Sequence, residues 1–167
     1  MPRILSIPFF ICLLLLSAGC KRACKDITCH NGGSCSNGYG NCTFQYGGEY
    51  CDSLCPQGYQ GVFCNTPIRD QFIRGWSATI NSSAGGTIHQ PLNITAGSSI
   101  TYVNVSNFEG FNFVGIIATA NSFSFSAQNA TGNYTGTISG SGVLNGTNLL
   151  INLTRQDGVS YIANCNP

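Results

Sequence analysis

The second half of the chain alternates apolar with polar positions. The clearest run is 122–127, where Phe123, Phe125 and Ala127 share one face. Similar alternation occurs in further segments, at 76–80, 86–94, 99–106, 111–118, 134–138, 149–153 and 159–163. A period of two is typical of strands with one buried face. The pattern therefore predicts a mainly β fold, with about eight antiparallel strands in a barrel or a sandwich.

Glycine and proline mark the predicted connections of this β domain. Gly85-Gly86, 140–142 and Asn145-Gly146 are predicted to be hairpin turns. Pro91 lacks the N–H that a central ladder needs, so its strand is predicted to lie at an edge or to carry a bulge. Residues 68–72 are predicted to form a short helical lead-in to the first strand.

The N-terminus has the pattern of a secretory signal. Arg3 precedes an apolar run at 4–16, which is shorter than the roughly 20 residues that span a bilayer. The following residues, 16–20 (Leu-Ser-Ala-Gly-Cys), resemble the lipobox of bacterial lipoproteins. This resemblance implies a signal peptide at 1–19, lipid on Cys20, a lipid-anchored linker at 20–23 and an exported protein at the outer membrane or cell surface. The alternatives are a transmembrane anchor and ordinary cleavage before Cys20.

Cysteine parity favours the lipid anchor. The chain has ten cysteines, and removing Cys12 with the signal leaves nine. A lipidated Cys20 leaves eight, an even number that allows four disulfides, whereas a free Cys20 leaves one thiol unpaired. So many cysteines in a small chain indicate an oxidising compartment.

Residues 24–64 form a cysteine-rich segment that is too short to fold by burial alone. The spacing of its outer cysteines, with Asn31-Gly32-Gly33 and the later Gly58-Tyr59-x-Gly61, resembles an EGF-like domain. The resemblance implies Cys24–Cys35 and Cys55–Cys64 bonds. It also pairs Cys29 with Cys51 or with Cys42, and leaves the remaining cysteine to bond Cys165.

A linker at 65–71 leads into the β domain, 72–167. The segment 72–76 and the glycine-rich run 136–146 resemble small lipocalin-like domains, which follow an EGF-like module in lipoproteins of Bacteroidetes. Lipocalins bind apolar ligands inside the barrel. The candidate pocket residues are aromatic: Trp76, Phe111, Phe113, Phe123 and Phe125.

Composition excludes several kinds of chemistry. Only 8% of residues are charged, with 7 Lys+Arg against 6 Asp+Glu, which is too little for nucleic-acid binding. Residues 66–167 contain one histidine, His89, and three acids, Asp70, Glu109 and Asp157, at spacings that match no catalytic motif. We therefore expect no enzyme activity, no cofactor and no metal, and we interpret His30 as a solvated loop residue.

These patterns favour a lipid-anchored envelope protein with a non-catalytic binding or structural role. Its partners would be the membrane, through the lipid, and a protein or carbohydrate. One alternative is a carrier of a small apolar ligand. A second is a secreted eukaryotic glycoprotein, because eight asparagines stand in Asn-x-Ser/Thr sequons: Asn41, Asn81, Asn93, Asn104, Asn129, Asn133, Asn145 and Asn152.

Overall fold

The computed structural model describes Cys24 and residues 27–167. The predicted signal peptide, 1–19, and the predicted lipid-bearing Cys20 lie outside these residues. Within the part that is described, no helix is long and apolar enough to cross a membrane.

The described part of residues 24–64, which we call the cysteine module, contains short two-stranded sheets. Its strands are β1 (Ser34–Ser36), β2 (Tyr39–Asn41), β3 (Tyr46–Gly47), β4 (Ser53–Leu54) and β5 (Tyr59–Gln60). β1 pairs with β2 and β3 pairs with β4, both antiparallel. β5 pairs with β6 (Thr66–Pro67), which continues into a 3-10 helix at Ile68–Gln71. The helix confirms the predicted helical lead-in.

The remaining strands follow the 3-10 helix. They are β7 (Arg74–Ser82), β8 (Thr87–Ala96), β9 (Tyr102–Phe108), β10 (Phe111–Thr119), β11 (Ser122–Asn129), β12 (Thr131–Gly132), β13 (Thr137–Asn145), β14 (Asn148–Arg155) and β15 (Ser160–Asn166). Apart from the two-residue β12, each strand pairs antiparallel with its sequence neighbours, and β15 pairs with β7. The eight long strands therefore close an up-and-down barrel, which confirms the predicted mainly β fold and selects the barrel over the sandwich.

The barrel interior is filled by the apolar face that the alternation predicts. Phe123 and Phe125 are 0% and 2% exposed, and Ile151 is fully buried on β14. The 3-10 helix closes one end, because Ile68 and Phe72 are buried and Trp76 Nε1 donates to the Phe72 carbonyl at 3.0 Å. Residues that follow the cysteine module thus belong to the barrel core.

Loops at this end of the barrel also hold the cysteine module. Arg69 donates to the carbonyls of Gly97 and Ser99, at 3.2 and 2.6 Å. The Ile68 N–H donates to the Gly58 carbonyl at 2.9 Å. A Cβ at Gly58 would lie 2.9 Å from Ile100 Cγ2, so module and barrel are in direct contact.

The prediction of a glycine-rich turn at 140–142 is wrong. These residues lie inside β13, paired with both β11 and β14. Glycine is needed there for close approach, because a Cβ at Gly142 would overlap the Phe123 ring. The other two predicted glycine turns are confirmed, with φ of 101° and 95° at Gly85 and Gly86 and 61° at Gly146.

Pro91 lies within a closed barrel, where no strand is a true edge. It nevertheless falls just beyond the β8–β9 ladder, which begins at Asn93. The Asn107 side chain takes the place of a ladder partner and donates to the Pro91 carbonyl at 2.6 Å. Pro91 therefore costs no ladder hydrogen bond with β9, because the β8–β9 pairing does not extend to this residue.

Candidate functional site

The five aromatic residues predicted to line a ligand pocket lie together in the barrel interior. None of the five is more than 4% exposed. The phenylalanine rings each lie against another aromatic ring: Phe113 and Phe125 have centroids 4.5 Å apart, Phe123 packs edge-on against Phe72 at 5.4 Å, and Phe111 lies 5.4 Å from Phe108. In this conformation the side chains fill the interior instead of surrounding a space.

The end of the barrel opposite the 3-10 helix is closed by a polar and aromatic cluster. Arg155 donates to the Tyr161 hydroxyl at 3.0 Å, pairs with Asp157 at 2.5 Å and lies 4.0 Å over the Tyr134 ring. The hydrogen bond with Tyr161 raises the pKa of Arg155. Burial raises the pKa of Tyr161, and the nearby Glu109 carboxyl raises it further.

Two of the three acids considered for catalysis, and the histidine, make local contacts. Asp157 pairs with Arg155, and Glu109 occupies the β9–β10 turn at φ 51° beside Tyr161. The His89 Nδ1 lies 3.0 Å from the Thr79 hydroxyl on the outer wall. No group of three His, Cys, Asp or Glu side chains among the described residues is arranged to hold a metal ion.

The disulfides follow the implied pairing at the ends of the cysteine module but not in its middle. Cys24 bonds Cys35 and Cys55 bonds Cys64, as the EGF-like resemblance implies. The implied pairing of Cys29 with Cys51 or Cys42, and of the remaining cysteine with Cys165, is wrong in the structure. Cys42 bonds Cys51 instead, and both Cys29 and Cys165 are thiols.

A short loop explains the bond between Cys42 and Cys51. The two residues are 9 apart in sequence, and the Cys51 N–H donates to the Gly48 carbonyl at 3.2 Å as the chain folds back. Closing a short loop costs less entropy than closing the longer loop from Cys29. Cys165 is buried inside the barrel wall, and this burial raises its thiol pKa to about 11.

Two of the concave surfaces on the outer wall lie beside predicted pocket residues, Trp76 at one and Phe113 at the other, although the sequence analysis placed both residues in an interior pocket. One is a shallow depression of about 440 Å³ at the β7–β8 hairpin, beside His89 and Pro91. The other, about 250 Å³, lies over β9, β10 and β11 and is lined mainly by uncharged amides and hydroxyls. The alternation predicts that these polar residues face outward, but their convergence depends on strand register.

Comparisons with solved structures cover about 60% of the chain. No protein-family model matches the chain, and no curated protein matches it. A redesigned β-barrel, b11L5F_LGL, covers 60% of this chain and 94% of its own length, at 14% identity and a TM-score of 0.48. Another redesigned β-barrel, mFAP1 bound to DFHBI, covers 60% of this chain and 98% of its own length, at 13% identity and a TM-score of 0.48. These similarities assign no family and no function.

Proposed function

We propose that the chain is a lipid-anchored envelope protein that binds partners through its outer surface and has no catalytic role. The observation that carries this proposal is the filled barrel: the apolar side chains that could surround a ligand are buried against one another. A protein whose interior is packed must make its contacts from the outside.

The cysteine module supports the location. Three disulfides within 24–64 are typical of a chain that folds in an oxidising compartment. In this proposal the module is EGF-like, and it stands between a lipid on Cys20 and the barrel. With more than one acyl chain on Cys20, membrane attachment would be stable.

The distribution of ionisable groups supports a non-catalytic role. From residue 75 onward the sequence has one Arg, two acids and one His. Arg155, Glu109 and Asp157 lie in the cluster that closes the barrel end, where they bond Tyr161 or each other. His89 lies beside the 440 Å³ depression, but its Nδ1 is 3.0 Å from the Thr79 hydroxyl and neither acid lines that depression. Acid–base catalysis usually needs a second positioned group beside the first.

The decisive test is mass spectrometry of the full-length protein extracted from the membranes of its own host. We expect a chain that begins at Cys20 and carries acyl mass, and a Cys20→Ser variant that leaves the membrane fraction. An unmodified soluble chain would refute the anchor. A small-molecule mass retained by the native protein would instead support an apolar-ligand carrier, in which the Phe113 and Phe125 rings separate.

One observation favours a glycosylated secreted protein as the second candidate. All eight sequon asparagines are exposed, so each could accept a glycan. The exposure has a simple cause, since seven of them lie in the barrel domain, where polar residues alternate outward. Treatment with an N-glycosidase distinguishes the candidates: a large loss of mass would replace the lipoprotein proposal.

A further inference from the structure

The wall of the barrel has a gap between β10 and β11. β10 pairs with β12 at Phe111 and Asn112, and with β11 only from Ile116 onward. The intervening residues 113–115 therefore face no strand on this side. The register of β11 against β13 also shifts between Phe125 and Gln128, beside the gap.

One side chain bridges this gap. The Val114 N–H donates to Gln128 Oε1 at 3.0 Å, and Gln128 Nε2 donates to the Val114 carbonyl at 2.6 Å. The amide thus satisfies both backbone groups as a neighbouring strand would. The gap forms the floor of the 250 Å³ depression on the outer wall. We call this depression the seam; it is lined by residues 104–106, 112–114, 128, 129 and 131.

The seam is lined by polar residues without charge. They are Asn104, Ser106, Asn112, Gln128, Asn129 and Thr131. The other lining residues are Val105, Phe113 and Val114, and of these Val114 is 36% exposed. The lining therefore combines hydrogen-bonding groups with an apolar surface that makes up most of its accessible area, and none of its side chains is ionisable.

Each of the three lining asparagines makes a hydrogen bond through only one of its two amide atoms, the oxygen or the nitrogen. Asn104 Nδ2 donates to the Ala96 carbonyl at 3.0 Å, Asn112 Oδ1 accepts from the Asn107 N–H at 2.9 Å, and Asn129 Oδ1 accepts from the Thr137 hydroxyl at 3.5 Å. Their other ends, together with the Thr131 hydroxyl, bond no described residue. The seam thus offers two amide donors, one amide acceptor and one hydroxyl in fixed positions.

We propose that the seam binds one residue of a neutral polysaccharide. Sugar hydroxyls both donate and accept, so they match this mixed set of groups, and a C–H face of the ring can lie on Val114. Phosphate or carboxylate ligands would require a cation that the lining lacks. The volume is below the roughly 300–1,000 Å³ of sites for drug-sized ligands, which suits a single sugar ring.

This inference rests on the proposed binding role of the outer surface, and it supplies the ligand class and the site. The test measures binding of neutral hexasaccharides of glucose, xylose and mannose to the chain from Lys21 to Pro167. We expect at least one to shift the backbone NMR signals of Val114 and Thr131. Thr131→Val and Asn129→Ala should each weaken that binding about 3- to 10-fold, the effect of one lost hydrogen bond.

The matched controls are Thr154→Val and Asn152→Ala on β14, which are exposed in the same way on another part of the wall. They should leave the affinity unchanged. The proposal is overturned if no neutral hexasaccharide binds at about 10 mM, if the control variants weaken binding equally, or if a hexauronate binds as well as the neutral probes. The lipid mass on Cys20 is measured separately, so failure of sugar binding and failure of anchoring are distinguishable.

Discussion

The cysteine module and the barrel are stabilised by different means. Between residues 27 and 64 the buried apolar side chains are two half-cystines, Cys51 and Cys55. The barrel buries a continuous cluster that includes Trp76 and five phenylalanines besides Phe72. A small segment that cannot bury enough surface requires covalent bonds, whereas a barrel of eight strands can fold by burial alone. The contrast predicts that the two regions respond differently to the same perturbation.

Reduction of the disulfides should have the largest effect, and it should be confined to the module. Each bond contributes about 2–4 kcal/mol, which is most of the stability that so small a segment can have. We expect dithiothreitol to collapse the NMR dispersion of residues 27–64 while the barrel signals, 74–166, persist. Simultaneous loss of both sets would show that the two regions fold as one cooperative unit.

Phe123→Ala should produce the complementary result in the barrel. The Phe123 ring is fully buried and lies against Gly142 and Phe72. Its removal leaves a cavity and should lower the free energy of unfolding by about 3–5 kcal/mol. Urea denaturation of the variant measures this loss. Ser124→Ala, on the exposed face of the same strand, should change stability by less than about 0.5 kcal/mol.

The Gly58→Ala variant tests how much the contact between the cysteine module and the barrel contributes to stability. Gly58 has φ 88°, and its new Cβ would press on Ile100 of the β8–β9 loop. We expect a loss of about 2–3 kcal/mol from backbone strain and overpacking together. Gly85→Ala is the control, because φ is 101° there but a Cβ would meet nothing within 4 Å. If the two variants lose equal stability, the contact between module and barrel contributes nothing.

The smallest effect is expected from the thiol of Cys165. Its folded pKa of about 11 lies above its ordinary value of 9.0, so the unfolded chain loses the proton first as pH rises. The barrel should therefore lose stability between pH 9.0 and about 11, by up to about 2 kcal/mol relative to Cys165→Ala. Urea midpoints across this range measure the difference. Identical pH profiles of the two proteins would mean that Cys165 is bonded or exposed.

The sequence predicted most of the barrel. Period-two alternation locates all eight long strands, although the 134–138 segment precedes most of β13, the strand at 137–145. It also predicts that Phe123 and Phe125 face inward and that the sequon asparagines face outward. Local chemistry was sufficient for the outer disulfides and for two of three glycine turns, because those features depend on neighbours in the chain.

Sequence reasoning did not locate the seam. Asn104, Asn112 and Asn129 are read as ordinary outward-facing polar residues, and nothing in their spacing brings them together. Their convergence requires the register shift in β11 and the amide bridge between Gln128 and Val114. Both depend on how three strands are aligned, which a linear pattern does not encode.

By itself, the sequence determined which side of each strand is apolar, because side-chain alternation is a local property of the extended backbone. Only the tertiary structure decided what that apolar side encloses. The rings of Phe113 and Phe125 could line a cavity or fill it, and they fill it because the neighbouring strands β10 and β11 bring their centroids within 4.5 Å, where both rings are buried in the core. Likewise Cys42 bonds Cys51 because the chain folds back at Gly48, a proximity that cysteine spacing leaves open.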